Sequence, residues 1–286
     1  EYPKQFHDVL GLGRTLLQLS FDRMLMVCPK ENIFIVTNSD YLDLVKEQLP
    51  EIGEQQILQE PSRKNTAPCV AYASYKIKTL NPNATLIVAP SDHIVMSENS
   101  FKNTMDIAIK QSEAENCLVT LGIKPSRPDT GYGYIQFLDN VDGSPEDVRE
   151  VKMFTEKPNF ELAQQFIESG DFYWNSGIFI WSADSIIDAF SKYLPSMHDS
   201  FSEGMKVHNT ELEQEFINHT YAECKNISID YGIMEKAKNV FVVLSDFGWS
   251  DLGTWGALYT HIDKDAGQNA IIGDKVNMYD SKDCVI

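Results

Sequence analysis

Short apolar runs rich in branched residues recur along this chain between stretches of helical pattern, and that alternation restricts the fold more than any other feature. The runs NIFIVT (32–37), ATLIVAP (84–90), CLVTLG (117–122) and GIFIWS (177–182) read as buried strands. Segments 40–49, 66–80, 101–114 and 161–169 read as helices, the second closed by Pro82 and Asn83. Strands alternating with helices predict an α/β fold: a mixed, mostly parallel sheet with helices on both faces. In such sheets ligands sit beyond the carboxyl ends of strands, so chemistry is expected on the loops that follow them. GYGYIQFLD (131–139) and VREVKMFTEK (148–157), around the polar loop DNVDGSPED, predict an antiparallel pair added to the sheet. The stretch 271–286 has short β-like pieces between polar turns. It reads as the start of a small C-terminal β element over 263–286, after a main domain over 1–262.

Composition narrows the function classes. At 286 residues and 43% apolar, the chain has enough material for one α/β core. No apolar run approaches the roughly 18 residues of a membrane helix. EYPKQFHDVL has no basic segment followed by an apolar one, so no signal peptide is expected. The five cysteines are odd in number and form no CxxC pair, which favours free thiols in a reducing cytoplasm. The formal net charge of −18 excludes a general nucleic-acid binder, which needs a basic face. A single nucleotide stays possible as a ligand, because it needs only a few local cations, backbone N–H groups and a metal ion.

Five places carry candidate chemistry. In ATLIVAPSDH (84–93) a strand ends in Pro-Ser-Asp, setting Asp92 at the carboxyl edge of the sheet. A carboxylate there can hold Mg²⁺ against a phosphate, or simply cap the next turn. In GWSDLGTW (248–255) Asp251 lies between two tryptophans, where a carboxylate needs a partner. That partner is either a metal shared with Asp92 or the N-terminus of a helix starting near Leu252. In EPSRKNTAP (60–68) Arg63 and Lys64 precede a helix whose N-terminus favours anions, and Asn65 or Thr66 can cap it or meet a base edge. TGYGYI (130–135), FTEKP (154–158) and YWNSGIF (173–179) supply Gly131 and Gly133 for close backbone approach, Glu156 beside Lys157, and Asn175 as donor and acceptor. Carboxylate for hydroxyls and ammonium for phosphate is what a sugar phosphate requires. The plain alternative is a turn, a surface ion pair and a turn asparagine. Lys4 in PKQF can bind phosphate as a point charge or be merely solvated.

Taken in order, PKQF, EPSRKNTAP, APSDH, TGYGYI, FTEKP, WNSGIFIW, DYGIMEK and GWSDLGTW resemble the motifs of the mannose-1-phosphate guanylyltransferase family, over about residues 2–255. The resemblance implies a Rossmann-like nucleotidyltransferase fold, Mg²⁺ as cofactor, and GTP and mannose 1-phosphate as partners. It implies Asp92 and Asp251 as metal ligands and Lys4 near the phosphates. Glu60, Arg63, Asn65, Thr66 and Ser91 would belong to the nucleotide site, and Gly133, Glu156, Lys157 and Asn175 to the sugar-phosphate site. Asp230 and Glu235 of DYGIMEK carry over less clearly and read as structural. The family often self-associates, so a homodimer is among the expectations, in the cytoplasm and away from membranes. The family's first strand and glycine-rich loop, with an arginine, are expected to precede Glu1, and a longer C-terminal β element to follow.

The implied reaction is attack of mannose 1-phosphate on the α-phosphorus of GTP, giving GDP-mannose and pyrophosphate. Other readings stay open at this point. One is the same chemistry with another sugar and base. A second is a non-catalytic nucleotide-sugar sensor. A third is a glycosyltransferase using Asp263-Lys264-Asp265 as its DxD. No G-x-G-x-x-G follows a strand, which disfavours a dehydrogenase.

Overall fold

The computed structural model describes residues 2–139, 147–253, 256, 259, 262, 264–272 and 276–286. Of the segments singled out above, most of the loop at 139–147, Thr254, Trp255 and Asp263 lie outside the described residues. The described elements start with α1 (Leu16–Met24), β1 (Ile35–Asn38), α2 (Leu42–Gln48) and β2 (Ile57–Glu60). Thr15 begins α1 with a reciprocal cap: its hydroxyl accepts from Gln18 N, and the Gln18 amide oxygen accepts from Thr15 N. β1 and β2 pair in parallel, and Phe6, Leu17, Phe21, Val45 and Leu49 close a small apolar cluster over them.

Then come α3 (Thr66–Leu80), β3 (Thr85–Val88), β4 (Ile94–Val95), α4 (Glu98–Ala114), β5 (Leu118–Ile123), β6 (Gly133–Phe137) and β7 (Val148–Glu156). They are followed by α5 (Phe160–Ser169), β8 (Phe172–Ser182), α6 (Ala183–Tyr193), α7 (Pro195–Glu203), α8 (Glu213–Glu223), β9 (Val240–Ser245) and β10 (Trp249–Ser250). The main sheet has the order β3-β8-β5-β9-β7-β6. β6 also pairs with the first residues of β8, so β8, β5, β9, β7 and β6 form a closed circuit with β3 outside it.

β5 lies at the centre and is buried along its whole length. Its alternate side chains face opposite layers, as strand geometry requires. Leu118 packs with Trp181, Tyr75, Phe190 and Tyr221, on the side of α3, α6, α7 and α8. Val119 and Leu121 pack with Phe101, Met105 and Phe166, on the side of α4 and α5. Each such side chain removed from water contributes about 1.5–3 kcal/mol. The helices therefore cover both faces, as the alternation predicts.

The mixed α/β class holds, but parallel pairing does not dominate. Among the described strand pairs β1–β2 and β5–β9 are parallel, while β3–β8, β5–β8, β6–β7, β6–β8, β7–β9 and β4–β10 are antiparallel. Apolar periodicity reports burial and carries no strand direction. β8 is also longer than the run 177–182 suggests, because its polar first half, Tyr173 to Ser176, pairs with β5 and β6. Asn175 is thus a strand residue and not a turn asparagine. Near the C-terminus, bridges join Lys264 to Ala270 and Ala270 to Val285. Ile272 and Val285 pack with Leu16, Ile94 and Leu252.

Candidate active site

β3, β5, β6 and β9 run in one direction, against β7 and β8. The chain leaving β3 enters β4 and the chain leaving β9 enters β10. These short segments pair antiparallel, Ile94 opposite Ser250 and Val95 opposite Trp249. That ribbon brings Asp92 and Asp251 to one place from 159 positions apart in sequence. Lys4 joins them: its Nζ lies 3.1 Å from Asp92 Oδ2 and donates to the Asp251 carbonyl oxygen at 2.5 Å. Asp251 Oδ1 accepts from Tyr132 OH at 2.7 Å and from Gly253 N at 2.9 Å. Asp251 therefore closes a tight turn instead of capping a helix at Leu252, which itself takes a positive φ of 49°. Asp251 Oδ2 has no hydrogen-bond partner among the described residues.

The neighbouring side chains hold this junction still. Trp249 Nε1 donates to His93 Nδ1 at 3.2 Å, leaving His93 Nε2 turned towards Asp92 Oδ1 at 3.6 Å. Burial lowers the His93 pKa, against the opposing pull of Asp92 and Asp251, which favours the neutral ring. The buried Arg23 guanidinium reaches the His93 carbonyl at 3.3 Å and lies over the Phe101 ring. No group of three or more His, Cys, Asp or Glu is gathered as a metal cluster among the described residues. The Asp92 and Asp251 carboxylates are hard oxygen donors of the kind that a divalent cation shares with phosphate oxygens, whereas the Lys4 ammonium is itself a cation and can meet only anions.

The second group surrounds the start of α3. Asn65, at φ 67°, is the N-cap and accepts from Thr66 N at 2.9 Å. Thr66 Oγ1 accepts from Ile229 N at 2.9 Å, tying α3 to the segment before Asp230. Arg63 is exposed, bonds Tyr41 OH and lies over its ring. Tyr41 in turn touches Phe6, in the same short turn as Lys4. Glu60, at the end of β2, accepts from Tyr221 OH at 2.9 Å; burial raises its pKa against that bond. Ser91 is half-buried beside Asp92.

The third group combines β6, β7, β8 and the turn at Asp230–Met234. Gly133 pairs with Glu156, and a Cβ on Gly133 would come within 2.5 Å of Glu156 Oε2. Lys157, at φ 47°, has its Nζ 3.8 Å from Glu156 Oε1 and its side chain 65% exposed, free to turn to a ligand. Asn175 Nδ2 donates to Asp230 Oδ1 at 2.8 Å, while Asn175 Oδ1 accepts from Thr120 Oγ1 and Gly177 N, both at 3.2 Å. Its oxygen is thus held by Gly177 and by a Thr120 proton shared with the Ile178 carbonyl, while one amide N–H is left for a ligand. Burial, then the Asp230 charge, raises the Glu156 pKa; burial raises that of Asp230.

Tyr132 links the first and third groups, with its hydroxyl on Asp251 and its carbonyl accepting from Lys157 N at 3.2 Å. Its ring packs edge-on against Trp174 and Trp249 and lies under Arg127. Tyr132 does not stand out from sequence, although it lies inside a segment singled out above, and Asp230, there read as structural, bonds Asn175. Among the described residues up to Leu252, four that are not glycine take positive φ, and Asn65, Lys157 and Leu252 are three of them. Such conformations gather where a site holds its backbone against local preference. Asp265 has its Oδ1 engaged by Gly267 N and Asn269 N in a tight turn, and its DxD partner Asp263 lies outside the described residues.

A family model described as nucleotidyl transferase matches residues 1–268. The chain is 37% identical over 284 residues to a mannose-1-phosphate guanylyltransferase of Escherichia coli, covering 96% of this chain and 60% of that one. It therefore spans about three-fifths of the length of the curated relatives it matches. A solved structure from Thermus thermophilus, described as a mannose-1-phosphate geranyltransferase, superposes with a TM-score of 0.83 at 30% identity, over 95% of this chain and 76% of that one. A Helicobacter pylori structure described as a mannose-6-phosphate isomerase gives a TM-score of 0.71 at 27% identity, over 87% and 94%.

Proposed function

The chain belongs to the nucleotidyl transferase family, and from that premise we propose that it transfers GMP from GTP to mannose 1-phosphate, forming GDP-mannose and pyrophosphate. The observation that carries the reading is the junction of Asp92, Lys4 and Asp251 at the strand ends, bridged through one ammonium group. Two carboxylates and a lysine at that edge suit a triphosphate, and the acidic pair Glu156 and Asp230, near the Lys157 loop that Tyr132 ties to Asp251, suits a polyhydroxylated acceptor.

An oxygen of the sugar phosphate attacks the α-phosphorus in line, and pyrophosphate leaves. The nucleophile is already an anion at neutral pH, so no general base is needed, and catalysis rests on positioning and charge neutralisation. Asp92 and Asp251 would hold Mg²⁺, which supplies positive charge at the reacting phosphate oxygens. Lys4 neutralises phosphate once released from Asp92, and Arg63 with the start of α3 receives the nucleotide. Lys157 binds the sugar's phosphate while Glu156 and Asn175 meet its hydroxyls. Glu60 and Ser91 line the nucleotide side. No described helix is long and apolar enough to cross a membrane. A cytoplasmic, homodimeric enzyme, with its nucleotidyltransferase domain over 1–262, completes the proposal.

The test is pyrophosphate release by the full-length protein with Mg²⁺, over a grid of nucleoside triphosphates and sugar 1-phosphates. Release confined to GTP with mannose 1-phosphate supports the proposal. Release with another pair moves the substrate and keeps the chemistry. A folded protein that releases none with any pair overturns the enzymatic reading and points to nucleotide-sugar sensing.

A further inference from the structure

The hydrogen bonds of Asn175 decide what the sugar pocket can recognise. An amide oxygen has two acceptor sites and an amide nitrogen two protons. Gly177 N and Thr120 Oγ1 occupy the oxygen, Thr120 sharing its single proton with the Ile178 carbonyl, and Asp230 takes one N–H. A single N–H remains for a ligand. Sugar hydroxyls need acceptors as well, so those must come from elsewhere in the pocket.

Asp230 is placed to supply one. It opens the Asp230–Met234 turn, whose wide π-type winding recurs at functional sites. No salt bridge reaches its carboxylate among the described residues, and Asn175 is its only side-chain hydrogen-bond partner there. Glu156 contributes a second negative charge from the end of β7, close enough to raise its own proton affinity through Asp230. Both carboxylates are half-buried, and the Lys157 ammonium 3.8 Å from Glu156 is largely exposed, so their proximity stays unfavourable until donors meet them. Adjacent hydroxyls relieve this: each O–H donates to a carboxylate, and one oxygen accepts from Asn175.

We propose that Asp230 is a specificity-determining residue of the pocket, accepting a sugar hydroxyl while its bond to Asn175 keeps that amide turned as a donor. The inference rests on the sugar 1-phosphate reading above. In Asp230→Asn the acceptor charge is lost. The new amide can keep the bond from Asn175 through its Oδ1, but it then presents an NH₂ donor where the sugar hydroxyl needs an acceptor.

The experiment is steady-state kinetics of full-length wild type and Asp230→Asn with mannose 1-phosphate and its 2-, 3-, 4- and 6-deoxy analogues, each variant's fold checked by thermal melting. The expected result is an about 10- to 100-fold rise in KM for the sugar phosphate in Asp230→Asn, with KM for GTP unchanged. One deoxy analogue that loses activity with wild type should lose nothing further with the variant. If Asp230→Asn does not fold, Asn175→Ser takes its place and should raise the same KM alone. An unchanged sugar KM, an equal rise for GTP, or the same deoxy penalties in both proteins would overturn the role of Asp230. Wild type inactive with every sugar phosphate sinks the substrate reading itself, a different result from an active wild type with an indifferent variant.

Discussion

Replacing Glu213 by Gln tests a buried charge that holds α8 to α3. Glu213 begins α8 and accepts four hydrogen bonds: two from Lys76 Nζ at 2.7 Å, one from Tyr72 OH at 2.7 Å and one from Asn209 N at 2.5 Å. The Lys76 and Glu213 side chains are only 7% and 9% exposed, so water neither screens nor replaces these bonds. Burial favours the protonated form, yet the donors from Lys76, Asn209 and Tyr72 hold the carboxyl below its ordinary value. Glu213→Gln would leave the Lys76 ammonium buried without a counter-charge, which costs about 3–5 kcal/mol. For a chain of this size that lowers Tm by about 10 °C. Lys76→Met removes the other partner but leaves the carboxylate with its Tyr72 and Asn209 donors, so it should cost roughly half as much. The double variant Lys76→Met/Glu213→Leu should melt above Glu213→Gln, because no unpaired charge stays inside. Calorimetric melting of all four proteins at pH 7 decides the matter. A Glu213→Gln shift below about 2 °C, or Lys76→Met melting lower than Glu213→Gln, refutes the reasoning.

Three further outcomes are expected. Tyr132→Phe keeps the ring packing and removes the hydroxyl from Asp251, so kcat/KM should fall about tenfold at a nearly unchanged Tm; full activity would detach Tyr132 from the role proposed for Asp251. Gly133→Ala drives a methyl group into the Glu156 carboxylate, so sugar-phosphate KM should rise about 10- to 100-fold while KM for GTP holds, and an unshifted sugar KM would separate Gly133 from the pocket. Stability should fall with acid in the window that starts at His208. Burial, partly offset by Glu213 and reinforced by Lys76, lowers its pKa below 6.5, and among the described residues neither ring nitrogen has a hydrogen-bond partner, Glu213 Oε1 lying 4.0 Å from Nδ1. The unfolded chain then takes up the proton first, so the His208 contribution is full above pH 6.5 and is lost as pH falls towards the folded pKa. His208→Phe, packed on Tyr72 and Phe216, should flatten Tm between pH 7 and about 5, and an unchanged slope would exclude His208 as the cause.

Much of the fold is written locally. The helix predicted over 66–80 is α3 residue for residue, and the strands at 84–90 and 117–122 fall on β3 and β5, because apolar periodicity reflects which faces are buried. The antiparallel pair β6–β7 follows from two extended runs around a polar loop. The strand at β9 and the helices α1, α6, α7 and α8 do not stand out locally, since their patterns depend on partners far along the chain. Strand direction is the plainest case. Nothing in the residues of β8 records that it runs against both β3 and β5, yet that reversal sets Asn175 beside Gly122 at the site's edge.

The candidate site divides the same way. Residue chemistry alone picks out Asp92, Asp251, Lys4, Glu156, Lys157 and Asn175, because each is a charged or polar group in a tight loop or beside an apolar run. Their relations belong to the tertiary structure. A ribbon of two residue pairs brings Asp92 to Asp251, a tyrosine spans from one carboxylate to the lysine loop, and Asp230 turns Asn175 into a donor. Local sequence determines which side chains prefer burial, turns or helix ends, since those preferences act over a few residues. Hydrogen bonds between positions 55, 119 and 247 residues apart exist only once long-range packing has closed the sheet, so their direction and partners were decided there.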